Sequence, residues 1–411
     1  MLTWGDDFTV NVSTRLLGIF GISVVVIIAG CENRNEQAEA FIKSGKQKFD
    51  KADWNGAIGD FTHAIELNPK LMRAYYYRGC AQCNKGDYER GIRDFDQLLL
   101  FEPNSPATYY NRGHALLDLG RFEDALADLN RAIELNPTNV WAYDVRGLTK
   151  YRKGDLEGAI ADYDLALSVN PTNGTVIASR GLVRFKQGNF AGAISDYDKA
   201  ISIDPTNARL YYDRGLAKNE RLDFDGAIAD FNRSLELRPA HAATYSGRGW
   251  AEYHNGNLEA AIADDSRAVV LEPTNAAPYN SRGWLECQKG DFERAIADTT
   301  RAIQLDPTYG YAYGTRGWAK YGKGDIDGAI QDCRRAVALF QTNSFAINYD
   351  QGLLDYIKGD YQTAIDSWKK AIQQRILVKK ELLPWIEKAG AKLKSNALSP
   401  AAAPRASKSP H

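Results

Sequence analysis

The chain has 411 residues, of which 44% are hydrophobic and 25% charged, with a net charge of −1. This is the make-up of an ordinary soluble globular protein, and it argues against a nucleic-acid binder working through bulk positive charge. The charge is uneven, since residues 369–411 carry eight Lys and two Arg against Glu381 and Glu387, so that an acidic body ends in a basic segment.

The first element is apolar. Leu16 to Ala29 reads LLGIFGISVVVIIA and follows Arg15. A membrane-spanning helix needs ~20 apolar residues, so this run fits the core of a signal peptide better than a span. Ile28-Ala29-Gly30-Cys31 resembles the bacterial lipobox, which implies cleavage before Cys31 and lipid attached to its sulfur. Asp6 and Asp7 depart from the basic start usual in such leaders, and an uncleaved short anchor is the alternative. On either reading residues 1–30 stand outside the fold, 31–37 form a linker, and the remainder is tethered at a bacterial envelope, facing the periplasm. Glu32 replaces the Asp that, by the lipoprotein rule, signals inner-membrane retention, which favours the outer membrane.

From residue 38 the chain is periodic. Prolines stand at 69, 103, 137, 171, 205, 239, 273 and 307, each 34 residues after the last, and a glycine precedes each by 24 residues. Gly317 and Gly352 extend the series, giving ten repeats that begin at 38, 72, 106, 140, 174, 208, 242, 276, 310 and 345 and run to 378. Each repeat reads as two helices. Gly followed by Asp or Asn, as in Gly86-Asp87 and Gly290-Asp291, ends the first and caps the second, and Pro ends the second. Such a pair cannot bury its apolar face alone, so neighbours must stack.

This 34-residue pattern, with aromatic, Gly, Ala, aromatic, Ala and Pro in order, is similar to the tetratricopeptide repeat. The resemblance implies an all-α superhelical solenoid whose concave face is lined by first helices and binds peptides or protein segments. Two departures stand out. Before the glycine, where that family often has Leu, stand Arg78, Arg112, Arg146, Arg180, Arg214, Arg248, Arg282 and Arg316. Sixteen residues after each comes an aspartate, from Asp94 to Asp332, while the last repeat has Gln351 and Ser367. We expect a ladder of Arg–Asp pairs that fixes helix register, each worth ~0–1 kcal/mol if exposed.

The inner face is aromatic in the later repeats. Trp250, Trp284 and Trp318 follow the glycine in repeats seven, eight and nine, and Tyr253 and Tyr321 lie one turn on. In the same repeats the second-helix ring found at Phe61, Phe95, Tyr163, Tyr197 and Phe231 gives way to Asp265, Thr299 and Cys333. Two readings stand open: the tryptophans fill the lost volume, with Asp265 or Thr299 accepting from an indole N–H, or they form a ligand-facing strip. A recent duplication of one repeat explains the correlation without either.

On the second reading, the five residues Trp250, Tyr253, Trp284, Trp318 and Tyr321 are the candidate contact strip for a protein or peptide ligand. A glycan-binding module in cell-wall or exopolysaccharide assembly is the rival, drawing on His254, Asn280 and Gln288 as polar neighbours. No catalytic constellation is found, which points away from an enzyme, and nothing calls for a metal or cofactor. Cys80 and Cys83 form CAQC without a second pair, and read as packing residues. Residues 379–395 read as a helix that caps the last repeat, and 396–411, rich in Ala, Pro and Ser, as a disordered tail.

Overall fold

A computed structural model describes the backbone of residues 21–340, 345–375 and 378–398, with side chains from 34 to 395 within them. Residues 16–20 of the apolar run, residues 399–411 of the tail and the side chain of Cys31 lie outside the described residues. The chain divides into two compact units, Met1–Pro171 and Thr172–His411.

The first unit contains α1 (Gly21–Asp50), α2 (Trp54–Leu67), α3 (Met72–Lys85), α4 (Tyr88–Phe101), α5 (Pro106–Asp118), α6 (Phe122–Leu135), α7 (Val140–Lys153) and α8 (Leu156–Val169). Successive helices pair as antiparallel hairpins, and each hairpin packs on the next. The α1 helix passes without a break through Cys31 and the stretch 31–37. No helix among the described residues is long and apolar enough to cross a membrane.

The second unit repeats the plan with α9 (Gly174–Lys186), α10 (Phe190–Ile203), α11 (Ala208–Glu220), α12 (Phe224–Leu237), α13 (Ala242–His254) and α14 (Leu258–Leu271). It continues with α15 (Ala276–Lys289), α16 (Phe292–Leu305), α17 (Gly310–Lys323), α18 (Ile326–Leu339), α19 (Phe345–Ile357), α20 (Tyr361–Gln374) and α21 (Lys379–Leu398). Among the described residues there is no strand, so the class is all-α, a helix-pair solenoid with one further C-terminal helix.

Local chemistry sets the helix boundaries as the spacing predicts. Asp87, Asp155, Asp223, Asp291 and Asp325 each accept a hydrogen bond from the backbone N–H three residues on, which satisfies an orphan donor of the second helix. Gly86, at φ 90°, closes α3 in the left-handed region, and Asp87 N–H donates to the carbonyl of Gln82. Inside the hairpin the regular spacing of small residues permits close approach: a Cβ on Gly215 would lie 2.8 Å from the Phe231 ring. Phe61, Phe95, Tyr163, Tyr197 and Phe231 are all buried on these glycines.

The Arg–Asp ladder is present, and it is more deeply set than expected. From Arg78–Asp94 to Arg316–Asp332, Nε and Nη2 donate to the two carboxylate oxygens at 2.5–3.0 Å. The aspartates are only 1–15% exposed at the side chain, so these are not surface pairs. Arg112, Arg146, Arg214 and Arg248 also donate from Nη1 to Asp96, Asn130, Asp198 and Asn232, which belong to the second helix of the preceding repeat. Each such guanidinium therefore ties its own hairpin together and joins it to the previous one. Its outer face lies on a tyrosine three residues earlier, as with Arg248 over Tyr245 at 5.5 Å.

Candidate functional site: an aromatic face covered by the C-terminal helix

The tryptophans sit on the first helices of the second unit, Trp250 on α13, Trp284 on α15 and Trp318 on α17. All three are half-buried, and Tyr253 is buried at 8% exposed. Trp284 meets Trp250 at 5.4 Å and Tyr253 at 4.7 Å between ring centroids, so the α13–α15 rings form one cluster. Trp318 and Tyr321 form a second, with Trp318 5.2 Å from Tyr349 and Tyr321 6.3 Å from Tyr356.

The C-terminal segment covers both clusters. Trp385 of α21 lies 5.1 Å from Trp318 and 5.7 Å from Tyr321, and also packs on Trp368 of α20. Leu382, fully buried, joins it in a core with Trp368 and Tyr356. Further back, Lys380 Nζ stands 5.0 Å above the Tyr253 ring and donates to the Tyr253 carbonyl at 3.5 Å. Arg375, just before α21, lies over Trp250 at 5.4 Å and within 3.7 Å of Glu220 on α11. The basic charge that sequence placed at this end is thus directed onto the aromatic face. Helix α21 packs against α20, the final hairpin, and its first turn reaches back to α13.

Electrostatics at the face are set by burial. His254 stacks on Phe224 at 5.1 Å and meets Trp250 at 4.5 Å, and burial, with Lys380 and Arg375 nearby, pushes it down to about 4. Burial lifts Asp265, Asp350 and Glu381 each to about 7, so near neutrality these acids hold protons part of the time. Asp265 Oδ1 has no hydrogen-bond partner, so it accepts no indole N–H there, and the Thr299 hydroxyl donates to the Ala295 carbonyl. The indole acceptors anticipated from sequence are therefore absent at these two atoms.

Elsewhere the chemistry is quiet. Cys80 and Cys83 are free thiols on α3, and burial pushes both up to about 12, which makes them poor nucleophiles at neutral pH. Among the described residues no group of His, Cys, Asp and Glu is arranged to hold a metal ion. What sequence reasoning missed is the return of Arg375 and of residues 378–388 over the first helices; periodicity carries no signal for a contact as distant in sequence as Lys380 with Tyr253.

Family models described as tetratricopeptide repeat match residues 61–93, 106–139, 142–173, 212–278 and 280–344, and one described as TPR repeat matches 181–220. No curated protein matches the sequence. Among solved structures, MamA is 29% identical over 39% of this chain and 94% of its own, with a TM-score of 0.37. Yeast Tom70 is 16% identical over 88% of this chain and 97% of its own, with a TM-score of 0.44. Pseudomonas aeruginosa PilF is 18% identical over 52% of this chain and 96% of its own, with a TM-score of 0.45. By its repeats, its helix hairpins and the family models that match along it, the chain belongs to the tetratricopeptide repeat family.

Proposed function

We propose that the protein is a non-enzymatic interaction scaffold, tethered at the cell envelope, whose aromatic first-helix face in the second unit receives a helical segment of a protein partner. One observation carries this reading: the face already holds a helix. Helix α21 presents Trp385 to Trp318 and Tyr321 and Lys380 to Tyr253, which is the helix-in-groove mode in which apolar anchors are framed by charge. A partner with a similar pattern competes with α21, and must overcome the high effective concentration of a tethered rival.

The tether rests on the sequence, on the apolar run at residues 16–29 and on Cys31 after Gly30. Metabolic labelling with a clickable palmitate analogue tests it. Label on the wild type and none on Cys31→Ser supports lipid attachment, and equal label on both overturns it. The glycan reading stands second. A sugar stacks on an open ring face, whereas Trp318 is surrounded by Tyr349, Trp368 and Trp385, and Arg375 lies over Trp250.

The partner reading is tested in cells by placing a photoreactive residue at Trp284 and identifying adducts by mass spectrometry. The control position is Val270 on α14, which is 78% exposed. A discrete protein adduct from position 284 and none from 270 is expected. No adduct from a variant whose helical circular dichroism matches wild type, or the same adduct from both positions, removes the aromatic face as the partner site.

A further inference from the structure

Beneath α21, between the first helices of the last four repeats, lies a cavity of about 240 Å³. Its origin is visible in the repeat register. Three residues before the repeat glycine, repeats two and six carry Tyr76 and Tyr212, whose rings pack on Phe95 at 6.5 Å and Phe231 at 6.1 Å, while repeats four and five have Asp144 and Ala178 there and keep the second-helix ring. At the same register stand Ser246, Asn280 and Gly314, all lining the cavity, and the second-helix ring opposite Ser246 is replaced by Asp265. Both rings of the facing pair are gone at once. A close-packed core would have refilled that volume with apolar atoms; this one is left open, walled mainly by tryptophan with a few carboxylate and amide oxygens among the rings.

Four of its oxygens are unpartnered acceptors, against one unpartnered donor among the described lining residues, the Trp318 indole N–H. Asp265 Oδ1 has no partner in a residue that is 2% exposed, and Asn280 Oδ1 and both carboxylate oxygens of Glu381 are also without one. Asp350, 4% exposed, lies against Gly314, where a Cβ would collide with its carboxylate, and it faces the Trp318 indole, the one polar side chain that favours its charged form. Among the described residues no Lys or Arg stands within ion-pair distance of Asp265 or Asp350. Among the described lining residues the one cation is Arg375, and it is engaged with Glu220 and lies over the Trp250 and Phe345 rings. Buried acceptors normally find donors, and a buried carboxylate without a cation is costly.

We propose that this cavity binds a small primary amine in its ammonium form, with N–H groups donating to Asp265 and Asn280 and an alkyl chain lying on the tryptophan rings. Each part of the site selects against a different rival. Orphan acceptors need N–H donors, which a quaternary ammonium lacks. Carboxylates disfavour an anion, and a neutral alcohol leaves their charge uncompensated. Trp250, Trp284 and Trp318 suit a cation on an alkyl stem, and Trp250 already carries one in Arg375. The size also agrees: a cavity of ~150 Å³ holds benzene, so this one has room for roughly ten non-hydrogen atoms. Burial raises the affinity of Asp265, Asp350 and Glu381 for protons, and an ammonium group against them favours their charged forms. The inference does not depend on the partner reading, because the cavity exists with α21 in place.

The test is calorimetric titration of the full-length protein with pentylamine, cadaverine, choline and 1-pentanol. Saturable binding of pentylamine or cadaverine is expected, with choline and 1-pentanol at least about tenfold weaker. Asp265→Asn and Asp350→Asn, uncharged isosteres on different helices, should each weaken the amine by about tenfold or more while keeping the wild-type circular dichroism. No saturable amine binding up to about 10 mM overturns the proposal. Equal binding of amine and alcohol, equal or tighter binding of choline, or unchanged affinity in both Asn variants does the same.

Discussion

Repeats six and seven are neighbours on one frame and differ inside it. Arg214–Asp230 and Arg248–Asp264 make the same fork, and both guanidinium groups reach back to the preceding repeat, at Asp198 and Asn232. Between the helices, repeat six packs a tilted Tyr212 ring on a fully buried Phe231, while repeat seven has Ser246 facing Asp265. The comparison separates two layers of the design. Register and stacking are held by a polar ladder that does not depend on the core ring. The inner surface is thereby free to change from packed aromatic to polar cavity without loss of the solenoid.

Breaking the ladder is the strongest test of that separation. Asp264 is 7% exposed at its side chain with Arg248 as its cation, whereas Asp230 also pairs with Lys218 at 2.7 Å. Removing one partner of a buried pair costs ~3–5 kcal/mol, because the other charge is left without compensation. Arg248→Ala should therefore lower stability in urea unfolding by about 3–5 kcal/mol, and Arg214→Ala by about half of that, since Lys218 remains. Equal losses would mean that the ladder acts through the link to the preceding repeat and not through the buried carboxylate.

The cavity side of the comparison is read by pH. Asp265 faces Ser246, Asp264, Asp298 and the Arg282 guanidinium, and burial lifts it to about 7. Its folded-state value is above its unfolded one, so the folded state binds the proton more tightly. The resulting stability is complete below about pH 4 and is lost as pH rises through about 7. Asp265→Asn does not titrate. It should match wild type near pH 5 and exceed it near pH 8 by about 1–3 kcal/mol, seen as a higher Tm on the alkaline side. A gap between the two proteins that is the same at both pH values would show that Asp265 is ionised throughout.

Sequence made the frame legible because its signals are local. The 34-residue period, the Gly-Asp boundary and the sixteen-residue Arg–Asp spacing each lie within one hairpin. The second arm is legible as well: sixteen residues before Arg78, Arg112, Arg146, Arg214, Arg248, Arg282 and Arg316 stand Thr62, Asp96, Asn130, Asp198, Asn232, Ser266 and Thr300, every one with a side-chain oxygen that accepts from Nη1. The aromatic face was less accessible. Trp250, Trp284 and Trp318 are half-buried because α21 and the neighbouring rings lie on them, and no periodicity announces a helix that returns over distant repeats. The missing rings at Asp265 and Ser246 could be counted, but whether their volume was refilled depends on how closely the helices approach.

The smallest effect tests whether the frame is the same in both repeats at the level of backbone. The turn between the two helices passes through the left-handed region at φ 97° in repeat seven, where it is Gly256, and at φ 63° in repeat six, where it is Leu222. For a residue with a Cβ this region costs ~1–2 kcal/mol, because the Cβ crowds the following carbonyl. The Leu222 side chain is 48% exposed, so burial offsets only part of that cost. Glycine loses some of the gain through its larger unfolded-state entropy. Leu222→Gly should then stabilise the second unit by about 0.5–1 kcal/mol, against almost no change for Leu222→Asn, which tolerates the same conformation less well than glycine and loses the apolar contact. If Leu222→Gly destabilises instead, the leucine side chain is packed firmly enough to outweigh its own backbone strain, and the turn of repeat six belongs to that repeat's aromatic core and not to the common frame.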